Sequence, residues 1–116
     1  ILLAVENGID MFDCVLPTRI ARNASAITAK GRINLMNKKF KMNLDPLDEN
    51  CDCFVCREYS SSYIRHLFKA NEITASRLTS YHNIYFMKKF MLNIRQAILQ
   101  NRYLDFKNNF LSNYRI

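Results

Sequence analysis

Three cysteines within six residues, Cys51-Asp52-Cys53-Phe54-Val55-Cys56, constrain this 116-residue chain more than any other feature. Neighbours so close in sequence make poor disulfide partners, because a bridge needs Cα atoms about 5.5 Å apart with converging side chains. Reduced thiolates crowded into one short loop are soft ligands. Three of them suit zinc, which normally takes a fourth ligand to close a structural site. The chain offers two histidines for that role: His66, ten residues after Cys56, and His82, twenty-six after it. Either closes a Cys3His site. An iron–sulfur cluster would want a fourth cysteine, and Cys14 supplies one only if its own segment lies beside the loop. Three reduced thiols without metal are the remaining reading, and they would be prone to oxidation. Nothing near the cluster resembles an open coordination position with a general base, so the metal is expected to be structural.

The surroundings of this loop read as globular protein. Hydrophobic residues make up 49% of the chain, ordinary for a folded domain. No apolar run approaches the ~20 residues that cross a bilayer, since Tyr85-Phe86-Met87 is broken at once by Lys88 and Lys89. No basic leader followed by an apolar stretch is present, so no signal peptide is expected and a reducing cytoplasm is the expected compartment. The chain opens on Ile1 inside an amphipathic pattern, which suggests that an upstream part is missing. The formal charge of +7 makes a polyanion such as nucleic acid, or an anionic membrane, a reasonable partner class.

Residues Leu2 to Asn7 read as the end of a helix, with Gly8 as its left-handed cap. Ile9 to Leu16 alternates as a strand, with Ile9, Met11, Asp13 and Val15 on one face, and Pro17 ends it. Two short strands, Ala26 to Ala29 and Arg32 to Met36, are expected to meet across a Lys30-Gly31 turn. The pattern is lost from Asn37 to Asn50, where Asp45-Pro46 and Asp48-Glu49-Asn50 suggest loop. Beyond the cysteines the period turns helical. A serine among Ser60, Ser61 and Ser62 caps a helix carrying Tyr63, Leu67 and Ala70. A second helix carries Leu78 through Ile98, and a last amphipathic piece runs through Tyr103, Phe106, Phe110 and Leu111.

Asp13 is the chemically suggestive member of its face. A carboxylate among Ile9, Met11 and Val15 is costly to bury unless paired or used. Near the end of a parallel-barrel strand it reads as a nucleophile or acid/base group. The alternative is a structural carboxylate, capping a loop or pairing with Arg19. Arg19 and Arg22, directly after the strand, either clamp phosphates or stand solvated in a loop.

The run Gly8-Ile9-Asp10-Met11-Phe12-Asp13-Cys14-Val15-Leu16-Pro17-Thr18-Arg19, followed by Ala21-Arg22-Asn23, resembles the active-site strand and loop of the bacterial tRNA-guanine transglycosylases. The likeness continues in order through Pro46-Leu47-Asp48, the cysteine cluster, Tyr63-Ile64-Arg65-His66-Leu67 and Lys69-Ala70-Asn71-Glu72-Ile73. It extends to His82-Asn83-Ile84-Tyr85-Phe86 and Ile94-Arg95-Gln96-Ala97-Ile98, covering nearly the whole chain. Ala24 stands where the family commonly has glycine, and residues 32–41 are only loosely similar.

The resemblance implies an α/β fold, the C-terminal part of a (β/α)8 TIM barrel with a zinc-binding insertion, this part being mostly helical with a few short strands. Residues 1–24 would be the last barrel strand and active-site loop, 25–59 the hairpin, loop and zinc insertion, and 60–116 the closing helices. It implies a pentosyltransferase that exchanges guanine at the wobble position of tRNAs with GUN anticodons for the 7-deazaguanine base preQ1, in queuosine biosynthesis. Asp13 would be the nucleophile, and Thr18, Arg19, Ile20, Ala21 and Arg22 would recognise RNA. One structural Zn2+ would be held by Cys51, Cys53, Cys56 and His82. The family's acid/base aspartate and base pocket lie upstream of these residues, so this chain alone would be inactive. Tyr59, Tyr63 and His66 fall in a region that helps form a homodimer in bacterial members. The rival readings are a non-catalytic zinc-stabilised RNA-binding module, an archaeal-type transglycosylase and a structural subunit without catalysis.

Overall fold

The computed structural model describes residues 1–115, and its organising element is one long helix. In chain order the elements are α1 (Leu2–Glu6), α2 (Leu16–Arg22), β1 (Ser25–Thr28), β2 (Gly31–Asn34), a 3-10 turn (Lys38–Phe40), α3 (Phe54–Glu58), α4 (Ser61–Lys69), α5 (Ile73–Leu99) and α6 (Tyr103–Asn113). At about 1.5 Å per residue, the 27 residues of α5 account for most of the longest dimension, 46 Å. The helices α2, α3, α4 and α6 and the hairpin strand β1 pack along it.

The helix ends follow the chemistry of their residues. Ser60 caps α4, its Oγ accepting from the Tyr63 amide at 3.2 Å. Asn71 and Asn101 take left-handed backbone (φ +56° and +53°) at the ends of α4 and α5, where asparagine tolerates that conformation. Gly8, at φ +93°, follows α1 as expected of a chain reversal there. Ala24 also sits at positive φ (+58°), a backbone that glycine would adopt at less cost.

The expected strand over Ile9–Leu16 does not form. Residues 9–14 carry no regular structure, and Leu16 already belongs to α2. Alternation of apolar side chains is a local property, whereas a parallel strand needs backbone partners on its flanks. Among the described residues the only sheet is the β1–β2 hairpin, so no ladder reaches this segment. Ile9, Met11, Phe12 and Val15 therefore stand exposed. Pro17 opens a helix rather than closing a strand: in the first turn its fixed φ is favourable and its missing amide hydrogen costs nothing. Thr18 to Arg22, expected as a loop, are helical.

The expected hairpin is present one residue off. Thr28 pairs with Gly31 and Ser25 with Asn34, so the turn is Ala29-Lys30 rather than Lys30-Gly31. Thr28 Oγ1 donates to the Gly31 carbonyl (2.6 Å) and accepts from the Lys30 amide (3.2 Å), which fixes the turn from its side. Gly31 is obligatory for a second reason. At φ +132° it lies against the Arg115 backbone, and an added Cβ would collide with the Arg115 carbonyl. Gly31→Ala should cost about 1–3 kcal/mol through strain and displacement of the C-terminal segment, read as a lowered denaturant midpoint of the full-length protein.

Two apolar clusters flank α5. The first joins hairpin, loop, α3, α4 and α5 through Leu35, Val55, Ile64, Leu67 and Leu78, with Cys53 and Cys56 among them. The second gathers Leu2, Phe90 and Ile94 with Phe106 and Phe110 between α1, α5 and α6. The cysteine loop thus belongs to the first core, while α1 and α6 are held by the second.

Candidate functional site

The cysteine loop is shaped by hydrogen bonds that its own residues supply. Cys53 caps α3, its Sγ accepting from the Cys56 amide at 3.4 Å. Upstream, the buried carboxylate of Asp48 accepts from the Ala29 amide (2.7 Å) and the Asn50 amide (2.9 Å), tying hairpin turn to loop. Ser61 Oγ faces the carbonyls of Asp45 (2.9 Å) and Pro46 (3.0 Å) from the start of α4. Protein groups alone therefore anchor the loop on both sides.

Within it, Cys51, Cys53, Cys56 and His82 place their ligand atoms all within 4.8 Å of one another. His82 Nδ1 lies 3.5 Å from Cys53 Sγ and 3.4 Å from Cys56 Sγ. For zinc–sulfur and zinc–nitrogen bonds of about 2.3 and 2.0 Å, the sulfur–nitrogen edge of a tetrahedron is about 3.5 Å. The donor set and its spacing fit a tetrahedral ion. His82 is wholly buried, and its Nε2 is 2.8 Å from the Ile27 carbonyl. Nε2 must carry the proton to donate there, which leaves the Nδ1 lone pair facing the sulfurs. His66 is exposed on α4 and belongs to no such group; Cys14, also exposed, is not a member of it either.

Electrostatics say the same thing. Hydrogen bonding, chiefly from Cys56, brings Cys53 down to about 4 despite its burial. Burial pushes Cys51 up to about 11, and Cys56 is raised by its bond to Cys53 and by burial. One thiolate is held, and its charge opposes ionisation of the other two. A bound dication removes that conflict.

At the mouth of the cluster, Asp52 Oδ1 accepts from Tyr85 Oη (2.9 Å) and from Lys89 Nζ (2.6 Å), fastening the loop to α5. The Lys89 and Tyr85 hydrogen bonds lower the Asp52 pKa. Nothing in the sequence spacing distinguishes Asp52; only the turn of α5 that carries both partners reveals it. Beside the loop lies an aromatic surface. Tyr59 and Tyr63 stack with centroids 5.6 Å apart, and Phe54 meets both Tyr59 and Tyr81 edge-on.

Asp13 lies elsewhere, in the irregular link before α2. It is exposed and lines a cleft of about 560 Å³ with Phe12, Leu16, Ile84, Met87 and Lys88. It does not pair with Arg19: among the described residues the ion pairs are Asp52–Lys89 and Glu6–Lys107. On α2, Arg19 and Arg22 are exposed and Thr18 half-buried, whereas Ile20 and Ala21 are buried. No helix of the described residues is long and apolar enough to cross a membrane.

A helical scaffold built on one long helix, with a Cys3His group able to hold a metal ion and an exposed carboxylate before a short basic helix, defines the class of domain. The sequence profile of queuine tRNA-ribosyltransferases matches residues 1–116, and the chain belongs to that family. It is 56% identical over 110 residues to the queuine tRNA-ribosyltransferase of Thermoanaerobacter pseudethanolicus, covering 95% of this chain and 29% of the relative. Its identity to the Streptococcus agalactiae protein of the same name is 52% over 111 residues, covering 96% and 29%. With the Staphylococcus aureus protein of that name it shares 57% over 107 residues, covering 92% and 28%. The chain thus spans less than a third of the length of these curated relatives.

Proposed function

We propose that the chain is the metal-bearing, RNA-contacting part of a tRNA-guanine transglycosylase, a pentosyltransferase that acts in the cytoplasm. The observation that carries this reading is the family match over residues 1–116. In the full-length protein these residues would complete a (β/α)8 barrel. Ile9–Leu16 would then gain the flanking strands it lacks in this chain, and the exposed Ile9, Met11 and Val15 would be covered.

In this reading an Asp13 carboxylate oxygen attacks ribose C1′ of the wobble guanosine. The C1′–N9 bond breaks and guanine leaves with its bonding pair, taking up a proton. The base preQ1 then attacks C1′ through its own ring nitrogen, loses a proton and expels Asp13. Two inversions return the starting configuration, as in retaining glycosidases. An anticodon loop offers unpaired bases at little unstacking cost. Arg19 and Arg22, exposed on one short helix, supply cations for the RNA backbone, and the net charge of +7 favours the encounter. Ile20 and Ala21, being buried, would contact RNA only through their backbone.

The metal is zinc, one structural ion per chain, because three thiolates and an imidazole at tetrahedral spacing suit that ion. Its ligands are Cys51, Cys53, Cys56 and His82, and it holds the loop to α5. The stacked Tyr59 and Tyr63, with His66 on the same helix as Tyr63, are the aromatic anchors of a homodimer contact.

The test is a denaturing gel of full-length protein incubated with an anticodon stem-loop bearing wobble guanosine. A slow protein–RNA band is expected. RNA bound in a native gel with metal present, but no covalent band, would instead establish the non-catalytic RNA-binding module.

A further inference from the structure

We propose that Asn83 is a positioning residue that locks the start of α2 to the hairpin strand β1, which the candidate metal ligand His82 also holds, so that the metal centre sets the placement of the RNA-contacting helix. The inference rests on the reading of Thr18–Arg22 as an RNA-binding segment.

Asn83 is wholly buried in the middle of α5, an uncommon place for a primary amide unless every polar atom is used. All of them are. Its Oδ1 accepts from the Ile27 amide at 2.9 Å. Its Nδ2 donates to the Ser25 carbonyl at 3.1 Å and to the Pro17 carbonyl at 2.9 Å. One side chain therefore joins three elements: α5, which carries it; β1, through Ser25 and Ile27; and the first turn of α2, through Pro17.

The residue before it completes the arrangement. His82 Nε2 donates to the carbonyl of Ile27, the same residue whose amide Asn83 holds. Adjacent side chains on one helix thus grip both backbone groups of a single residue of β1, and one of the two is a metal ligand. A displacement of His82 that follows metal loss shifts Ile27, and Ile27 is what fixes the Asn83 amide in register with Pro17. Pro17 has no amide hydrogen, so its carbonyl is the one backbone group through which this residue can be tied. No other side chain of α5 makes a hydrogen bond to α2 among the described residues. Alongside the packing of α2 on α5 and β1, this gives the coupling one hydrogen-bonded route with named members.

Two variants separate the ties. Asn83→Asp keeps an acceptor for the Ile27 amide but removes both donors and sets a carboxylate oxygen against two carbonyls. Asn83→Ala removes all three bonds. Leu67→Ala, in the core of α4 away from α2, serves as a control for stability loss alone. In the full-length protein with its metal loaded, both Asn83 variants should retain one metal ion per chain. Amide hydrogen exchange should accelerate selectively over residues 16–24, and kcat/KM for the stem-loop should fall by about 100-fold, as expected for a misplaced binding element. Metal removal from the unsubstituted protein should accelerate the same amides.

The inference is overturned if residues 16–24 stay as protected as in the parent, or if Leu67→Ala exposes them equally. A fold too damaged to hold metal in both Asn83 variants would be decided by the parent protein, whose residues 16–24 must loosen when metal is stripped. If exchange behaves as expected while the parent neither binds nor modifies RNA, the coupling stands and the functional reading fails.

Discussion

Asp13→Asn in the full-length protein is expected to lose base exchange by a factor of about 10⁴ or more, a scale typical for removal of a covalent nucleophile. Binding of the stem-loop should change by only a few fold. The side chain has little structural work to lose. Asp13 is exposed, sits outside regular structure and enters no hydrogen bond or ion pair among those of the described residues. Its replacement by the isosteric amide conserves side-chain volume and breaks no hydrogen bond or ion pair among the described residues. A denaturant midpoint measured beside that of the parent separates loss of turnover from loss of stability. An amide oxygen is too weak a nucleophile to form the glycosyl ester, and a neutral group no longer offsets positive charge developing at C1′. The measurement is single-turnover exchange of labelled guanine beside a native-gel binding curve. Retained turnover would remove Asp13 from the chemistry.

The way this site reads from sequence depends on how far apart its parts lie along the chain. The three cysteines were legible because their meaning is local: six residues hold them in one loop whatever the fold. A serine cap among Ser60–Ser62, the loop from Asn37 and the helices beyond it were legible for the same reason, since each rests on a few neighbouring residues, and the fold selects Ser60 as the cap. Spacing left His66 and His82 equal, and the choice between them is made by α5 packing against β1, a contact between residues 55 positions apart. The strand over Ile9–Leu16 failed on the same ground in reverse. Its alternation is real, but a ladder needs partners, and those are not among the described residues. The short helix α3 was hidden because five residues around a cysteine cap carry too little periodicity to be seen. Asp52 and Asn83 were invisible because each acts through bonds to distant backbone or side chains.

Loss of any one metal ligand is expected to have the second large effect, and His82→Ala the largest of the four. Structural zinc contributes apparent free energies of about 10–16 kcal/mol in small zinc-folded peptides. In this chain the hairpin and both cores offset part of that dependence, so destabilisation on the order of several kcal/mol is expected rather than complete unfolding. His82→Ala adds to the loss of a ligand a buried cavity and an orphaned Ile27 carbonyl. Cys56→Ser keeps the shape and should cost less, although both variants should fail to retain metal through gel filtration. The pH dependence follows from the thiols. Cys53 sits at about 4 and is already a thiolate at neutral pH, whereas Cys51, at about 11, and Cys56, also raised, are still protonated in the metal-free protein. Metal binding at pH 7 must displace those protons, so about two are released per ion and affinity falls as the pH is lowered. Calorimetry in buffers of different ionisation enthalpy counts them directly. A release near zero would mean that all three thiols are already ionised without metal, and one held thiolate would then not oppose ionisation of its neighbours.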